Sequence, residues 1–272
     1  MLPEGEVLIE YARAASGDEI NSLLYEADEK ILSALLENSN FQEKHAELLA
    51  ARPDVSRVVL AAVAEAEKGK WMGCESVRLR LAQHPHSPRR VAMAAVRQLF
   101  LFNLVRLCFL PAAPPDVKRL AEESILARIP HLPIGEKLTL ARRGPSRVAA
   151  AILTEGHPQA IKLALANGFL TESQVLKTLA KDGLKDAVVA TIATHPKWSC
   201  LYNVRVALVR NPLVPAECVQ TFVGDLTWRD LTDLAKLAEI SPPVRGVIGR
   251  ELERRKADRK KESPGANASG AV

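Results

Sequence analysis

Aromatic side chains are scarce in this chain: three Trp, three Tyr and six Phe, 4% of 272 residues. A protein built on sheets usually draws its core from aromatic and β-branched residues, and here the 47% hydrophobic content rests instead on Leu, Ala and Val. That composition predicts an all-α chain of closely packed helices. The four cysteines (Cys74, Cys108, Cys200 and Cys218) form no C-x-x-C pair, so neither a disulfide scaffold nor a thiol-metal site is expected. The longest apolar run, LFLFNLVRLCFL at 99–110, is short of the roughly 20 residues of a membrane span and contains Arg106. The opening MLPEGEVLIEYAR is acidic and amphipathic rather than a secretion signal. These features together predict a cytoplasmic protein with no membrane span.

Signatures of chemistry are also missing. There is no G-x-S-x-G, H-E-x-x-H or G-x-G-x-x-G, and GEKLT at 135–139 lacks the first Gly and the Lys-Ser/Thr pair of a phosphate loop. His84, His86 and His131 have no cysteine or carboxylate pattern around them that would suit a metal. The expectation is no cofactor, no metal, no evident small-molecule substrate, and a function other than catalysis.

What the chain does contain is an echo. KWMGCESVRLRLAQHPHSP at 70–88 returns as KWSCLYNVRVALVRNPLVP at 197–215, displaced by 127 residues. The frame continues without a gap: Val96 meets Val223, Leu99 meets Leu226, Leu107 meets Leu234, Pro115 meets Pro242 and Val117 meets Val244. Upstream of each Trp the agreement is looser, though the text is of the same kind. A tandem duplication of a long helical unit follows, covering roughly 20–130 and 150–255. Apolar residues recur at helical spacing, as at Leu165, Leu170, Val175, Leu176 and Leu179. Thr171 with Gln174 suggests a capping box, and Ser87-Pro88 and Ser241-Pro242 suggest helix starts. His-Pro and Asn-Pro at 84, 157, 195 and 211 mark helix ends, because a proline disfavours helix in the residue before it.

The pattern V-R-x-x-L-x-x-N-P-x-x-P at 204–215, its copy at 77–88, and P-P-V-R at 242–245 resemble the leucine-rich repeat variant and HEAT-like helical repeats of bacterial proteins. LPIGEKLTLARRG at 132–144 is similar to text in uncharacterised bacterial repeat proteins. The chain departs from the iron-sulfur-bearing variant in having no N-terminal cysteine cluster. The resemblance implies a right-handed α-solenoid of short helical hairpins, read here as an N-terminal lobe over 1–130, a C-terminal lobe over 131–258 continuous with it, and a disordered basic, Gly/Ser/Ala tail over 259–272.

Charge is distributed unevenly beneath a net of +5. Residues 1–67 carry 5 basic and 14 acidic groups, net −9, and residues 68–147 carry 15 and 5, net +10; residues 148–249 come to +1 and 250–272 to +3. The acidic and basic blocks either pair with each other or leave a basic face free for nucleic acid or an acidic protein. Trp71 and Trp198 fit three roles: core anchors, exposed hot spots in a groove, or platforms for nucleobases. Arg78 and Arg205 suit bridging to carboxylates or terminal carbonyls, or a ligand-facing row with Arg80, Arg89 and Arg90. The copies differ at Glu75 against Tyr202, Arg80 against Ala207 and His84 against Asn211. The candidate interaction residues are therefore Trp71, Arg78, Arg80, Arg89, Arg90, Trp198, Tyr202 and Arg205. The expected function is a binding scaffold that engages another protein through a concave surface, the alternative being nucleic-acid binding like that of HEAT-repeat DNA glycosylases through the 68–147 block.

Overall fold

A computed structural model describes residues 4–262, and among them every regular element is helical. The chain divides into two compact units, residues 1–131 and 132–272. The first holds α1 (Glu4–Ala14), α2 (Gly17–Leu23), α3 (Glu29–Leu35), α4 (Glu43–Ala51), α5 (Arg57–Gly69), α6 (Glu75–Gln83), α7 (Arg89–Gln98), α8 (Leu101–Phe109) and α9 (Pro115–Arg128). The second holds α10 (Ile134–Arg143), α11 (Ser146–Glu155), α12 (Pro158–Leu165), α13 (Glu172–Leu179), α14 (Asp186–Thr194), α15 (Tyr202–Arg210), α16 (Ala216–Asp225), α17 (Trp228–Lys236) and α18 (Pro242–Glu262). Short 3₁₀ turns occupy Lys70–Gly73 and Ile129–His131. Residues 259–262, expected in the tail, belong to α18; the rest of that tail lies outside the described residues.

Helix starts follow the proline and cap chemistry. Pro88, Pro133, Pro145 and Pro215 stand immediately before helices, and Pro115, Pro158 and Pro242 occupy first helical positions, where the missing N–H has no intrahelical partner to lose. Asp28, Thr171 and Thr227 accept a backbone N–H from the first turn of α3, α13 and α17. Gly156 ends α11 at φ +74°, where a Cβ would also strike the Lys185 stem at 2.2 Å.

Within each unit, packing runs between helices one or two places apart in the chain. In the first, α1, α3 and α5 pack in succession, as do α4, α6 and α8, with α7 against α9; in the second the series are α10, α12 and α14, then α11, α13 and α15, with α16 against α18. Helical spacing sets the faces: Val59, Leu60 and Val63 of α5 are fully buried, and so are Val188, Val189 and Ile192 of α14. Many buried positions are alanine, such as Ala12, Ala46, Ala141 and Ala149, and these small side chains let short helices approach closely.

The helix starts recur at fixed intervals. From α3, α4 and α5 to α12, α13 and α14 the interval is 129 residues, and from α6, α7, α8 and α9 to α15, α16, α17 and α18 it is 127. The two-residue change falls where α5 runs 13 residues and α14 only 9. The single displacement of 127 read from the sequence therefore holds from Trp71 onward and not before it.

Candidate binding cleft

Most of the residues singled out from the sequence build the scaffold. Trp71 and Trp198 are 2% and 1% exposed, which corrects their reading as groove hot spots or nucleobase platforms, since neither indole reaches a surface. Trp198 Nε1 donates to Leu165 O at 2.9 Å, while Trp71 packs edge-on to Phe41. Arg78 is also buried: it donates to Met72 O, Gly73 O and the Glu75 carboxylate. Arg205 donates to Ser199 O and pairs with Asp225 at 2.5 Å. Arg80 pairs with Glu47, Arg89 with Asp116 and Arg90 with Glu65. The Arg80 and Arg90 pairs join the acidic and basic blocks. Tyr202 donates to Asp230 and accepts from Thr227 N–H at 3.0 Å, the place that Glu75 fills for Phe100 N–H at 2.8 Å. Burial alone would raise the Glu75 carboxyl, but hydrogen bonds from Asn103, Arg78 and Phe100 N–H outweigh it and hold the group below the usual carboxylate range.

A set of buried polar side chains, none of them expected as a group, ties helix ends together. Asn38 Nδ2 donates to Ala12 O and Ala15 O while its Oδ1 accepts from Asn40 N–H. Asn167 repeats this with Ala141 O, Gly144 O and Phe169 N–H. Asn211 donates to Leu179 O and accepts from Leu213 N–H. His84 does the same work with a ring: Nε2 lies 2.8 Å from Arg52 O, and Nδ1 accepts from His86 N–H at 3.1 Å. A carbonyl only accepts and an amide N–H only donates, so the hydrogen sits on Nε2 and the ring is neutral. Burial and the nearby His86 push the His84 pKa down against the opposing Arg52 carbonyl and Asp54. Arg128 and Arg255 close a further pair of helix ends, donating to Leu99 O and Leu226 O respectively. The Asn and His pins free no side chain for a ligand; they satisfy carbonyls that helix C-termini leave without partners.

The open feature lies in the second unit. A cleft of about 1040 Å³ runs between α13, α15 and the loop that follows α13. Leu176, Leu179, Leu184, Val206, Ala207 and Leu213 line it with hydrocarbon, and Lys181, Asp182, Asn203, Arg210 and Glu239 contribute polar groups. Arg210 and Glu239 pair at 2.9 Å with both side chains more than half exposed. Lys181 and Asp182 are exposed, with no ion pair or side-chain hydrogen bond among the described residues.

The first unit shows why the cleft exists. Arg80 is the sixth residue of α6 as Ala207 is of α15, and Glu47 is the fifth of α4 as Leu176 is of α13. Between α4 and α6, Arg80 Nε and Nη2 reach Glu47 Oε1 at 3.2 and 3.1 Å, so a long cationic side chain spans the space. Between α13 and α15 the same two places hold a leucine and a methyl group. Of the three differences singled out from the sequence, Arg80 against Ala207 is the one that clears the space between the two helices. The remaining lining residues carried no sequence signal, because their convergence depends on α13 and α15 being neighbours.

The cleft presents an apolar floor between rims of both charge signs, an arrangement suited to burying hydrocarbon side chains beside polar anchors. Among the described residues no group of three His, Cys, Asp or Glu side chains is placed to hold a metal ion, and no helix is long and apolar enough to cross a membrane. No protein-family model, curated protein or solved structure matches the chain.

Proposed function

We propose that this chain is a cytoplasmic helical-repeat scaffold, a duplicated nine-helix unit forming an α-solenoid, whose second unit holds a polypeptide segment in the cleft between α13 and α15. The duplication is supported by the recurring intervals and by bonds that recur with them. Ser76 Oγ donates to Glu43 as Asn203 Nδ2 donates to Glu172, and Arg128 reaches Leu99 O as Arg255 reaches Leu226 O. The observation that carries the binding reading is the open cleft where the other unit has the Arg80 to Glu47 pair. Binding works by burying apolar side chains on a preformed floor, at about 25 cal/mol for each Å² removed from water. Helix-end pins hold that floor in place, so little ordering is lost on association.

The test is a photo-crosslinking amino acid placed at Val206, with a second placed at exposed Glu217 on α16 as the control. In cells the cleft position gives a discrete polypeptide adduct that the control lacks and that disappears when Leu176→Glu and Ala207→Arg are added. No adduct, or one indifferent to that pair of substitutions, overturns the reading.

A further inference from the structure

The loop that follows α13 forms one wall of the cleft, and it is free where its counterpart in the first unit is tied down. At the displacement of 129 residues, 52–56 after α4 correspond to 181–185 after α13. In the first unit Arg52 holds its loop at both ends of the side chain. Its Nη1 donates to Leu24 O and Glu26 O, its Nε and Nη2 pair with Asp54 inside the loop, and its carbonyl accepts from Val55 N–H at 3.4 Å and from His84 Nε2 at 2.8 Å. In the second unit Lys185 Nζ donates to Glu155 O, which stands where Glu26 O does, so the residue at the Arg52 place is not needed there. Lys181 and Asp182 are left exposed without a side-chain partner, and the N–H groups of Asp182, Gly183 and Leu184 meet no acceptor among the described residues.

The free stretch, 180–183, runs between two fixed points. Asn211 holds Leu179 O at 3.0 Å before it, and Leu184, 8% exposed, is seated after it. Gly183 lies at φ +70° with nothing within 4 Å of the place a Cβ would take, so the backbone has both the freedom and the room to swing. Exposed backbone without hydrogen bonds rearranges at little cost in free energy. We infer that this stretch is a strap that closes over the polypeptide segment held in the cleft, with Lys181 Nζ donating to a main-chain carbonyl of that segment, an inference that deepens the reading given above and rests on it. The chemistry of Lys181 is set by its counterpart. Arg52 spends its charge on main-chain carbonyls of a neighbouring turn, whereas Lys181 lines the cleft beside Leu176 and Val206 with no carbonyl of its own chain to serve. A charged donor makes a stronger bond to a carbonyl than a neutral one does, and closing the strap strengthens it further by excluding water. Every residue of a polypeptide offers that carbonyl, so the strap adds affinity while the apolar floor selects the side chains.

The experiment is hydrogen exchange of the full chain read by mass spectrometry, on the free protein and on the Val206 photo-crosslinked adduct purified from cells. In the free protein the Leu184 amide exchanges about tenfold or more faster than the Val55 amide, its counterpart with a backbone acceptor. In the adduct, exchange over 181–184 slows about tenfold or more while 52–55 is unchanged. Two substitutions at the exposed Lys181, where no internal contact is lost, separate closure from packing. Lys181→Met keeps the hydrocarbon stem, removes the donor and lowers the adduct yield at Val206 about fivefold, the loss of one hydrogen bond. Lys181→Arg restores a charged donor, as at Arg52, and keeps the yield. A Leu184 amide as slow as that of Val55 in the free protein, an adduct in which 181–184 exchanges as in the free protein, or a Lys181→Met yield equal to that of the unchanged chain overturns the inference. An adduct at Val206 with no slowing of the loop removes this inference alone, whereas the absence of any adduct removes the binding reading and the strap with it.

Discussion

Asn167→Ala tests whether the helix-end pins hold the second unit together. The side chain is 1% exposed and makes three hydrogen bonds: Nδ2 to Ala141 O at 2.8 Å and Gly144 O at 3.0 Å, and Oδ1 from Phe169 N–H at 2.7 Å. A typical net contribution of about 1 kcal/mol per bond sets the loss at about 3 kcal/mol. Orphaning buried carbonyls raises the figure, at about 1–3 kcal/mol for each group that water does not reach. Water entering the space left by the amide lowers it. Asn211→Ala removes two bonds, to Leu179 O and from Leu213 N–H, and is expected to cost about 2 kcal/mol. The assay is urea unfolding of the full chain followed by circular dichroism, comparing midpoints at unchanged slope. A cost for Asn167→Ala below about 1 kcal/mol, or one no larger than that of an exposed alanine substitution, would refute the reasoning, because it would mean that solvent replaces all three bonds at no penalty.

Other expectations follow from the same geometry. Trp198→Phe removes a bonded indole N–H and Trp71→Phe one with no acceptor among the described residues, so the former is expected to cost about 1 kcal/mol more in the same urea assay. His84, His45 and His195 all titrate below the ordinary histidine value, with burial the first cause in each. As pH falls below about 6.5 the unfolded chain takes up these protons before the folded one, so stability declines toward acid by at most about 1.4 kcal/mol per pH unit for each ring. His84→Asn, which supplies the donor and acceptor of Asn211, is expected to retain stability at pH 7.5 and to flatten this slope; an unchanged slope between pH 5 and 6.5 would count against the assignment. The Cys108 thiol is pushed up to about 12, chiefly by burial, whereas Cys200 is exposed. Timed alkylation at pH 8 read by mass spectrometry is therefore expected to label Cys200 well before Cys108.

The text of the chain carries its helix ends openly. Helices stop at Gln83, Thr194 and Arg210, just before the His-Pro and Asn-Pro pairs, because proline acts on the residue next to it and needs no tertiary context, whereas α11 stops one residue sooner, at Gly156. The echo around the two tryptophans is legible for a related reason: large side chains fill similar gaps and tolerate little change. The pins are harder to see. His84 and Asn211 share a donor and an acceptor rather than a name, and each meets its carbonyl partner 32 residues away. The upstream displacement of 129 residues is hidden by the two extra residues near the end of α5, which put a search at 127 out of register by half a helical turn. The arginines were the least legible. Arg78, Arg80, Arg89 and Arg90 look in sequence like a basic face, but Arg78 folds back on Glu75 of its own helix and the carboxylate partners of the other three become neighbours only when alternate helices stack.

The difference between a pin and a surface pair also explains where two units with the same succession of helix starts can part company. The Arg80 to Glu47 pair has both side chains about one-third exposed, 35% and 36%, and exposed pairs are worth about 0.2–1 kcal/mol. Losing it and gaining a half-buried Leu176 changes stability little. Losing a pin strands buried carbonyls and costs several times as much. Change is thus cheap along the exposed edge of α4, α6, α13 and α15 and expensive at the helix ends, so a new cleft can open in one unit while the framework of both stays the same. The reverse exchange follows from this: Leu176→Glu with Ala207→Arg is expected to move the urea midpoint by an amount equivalent to less than about 1 kcal/mol while abolishing crosslinking from Val206. Ala207→Arg alone, without the glutamate, leaves a guanidinium over Leu176 and is expected to be the less stable of the two. If the single substitution equals or exceeds the double in stability, the ion pair is not what closes the space between α4 and α6, and the account of the cleft as an opened salt bridge fails.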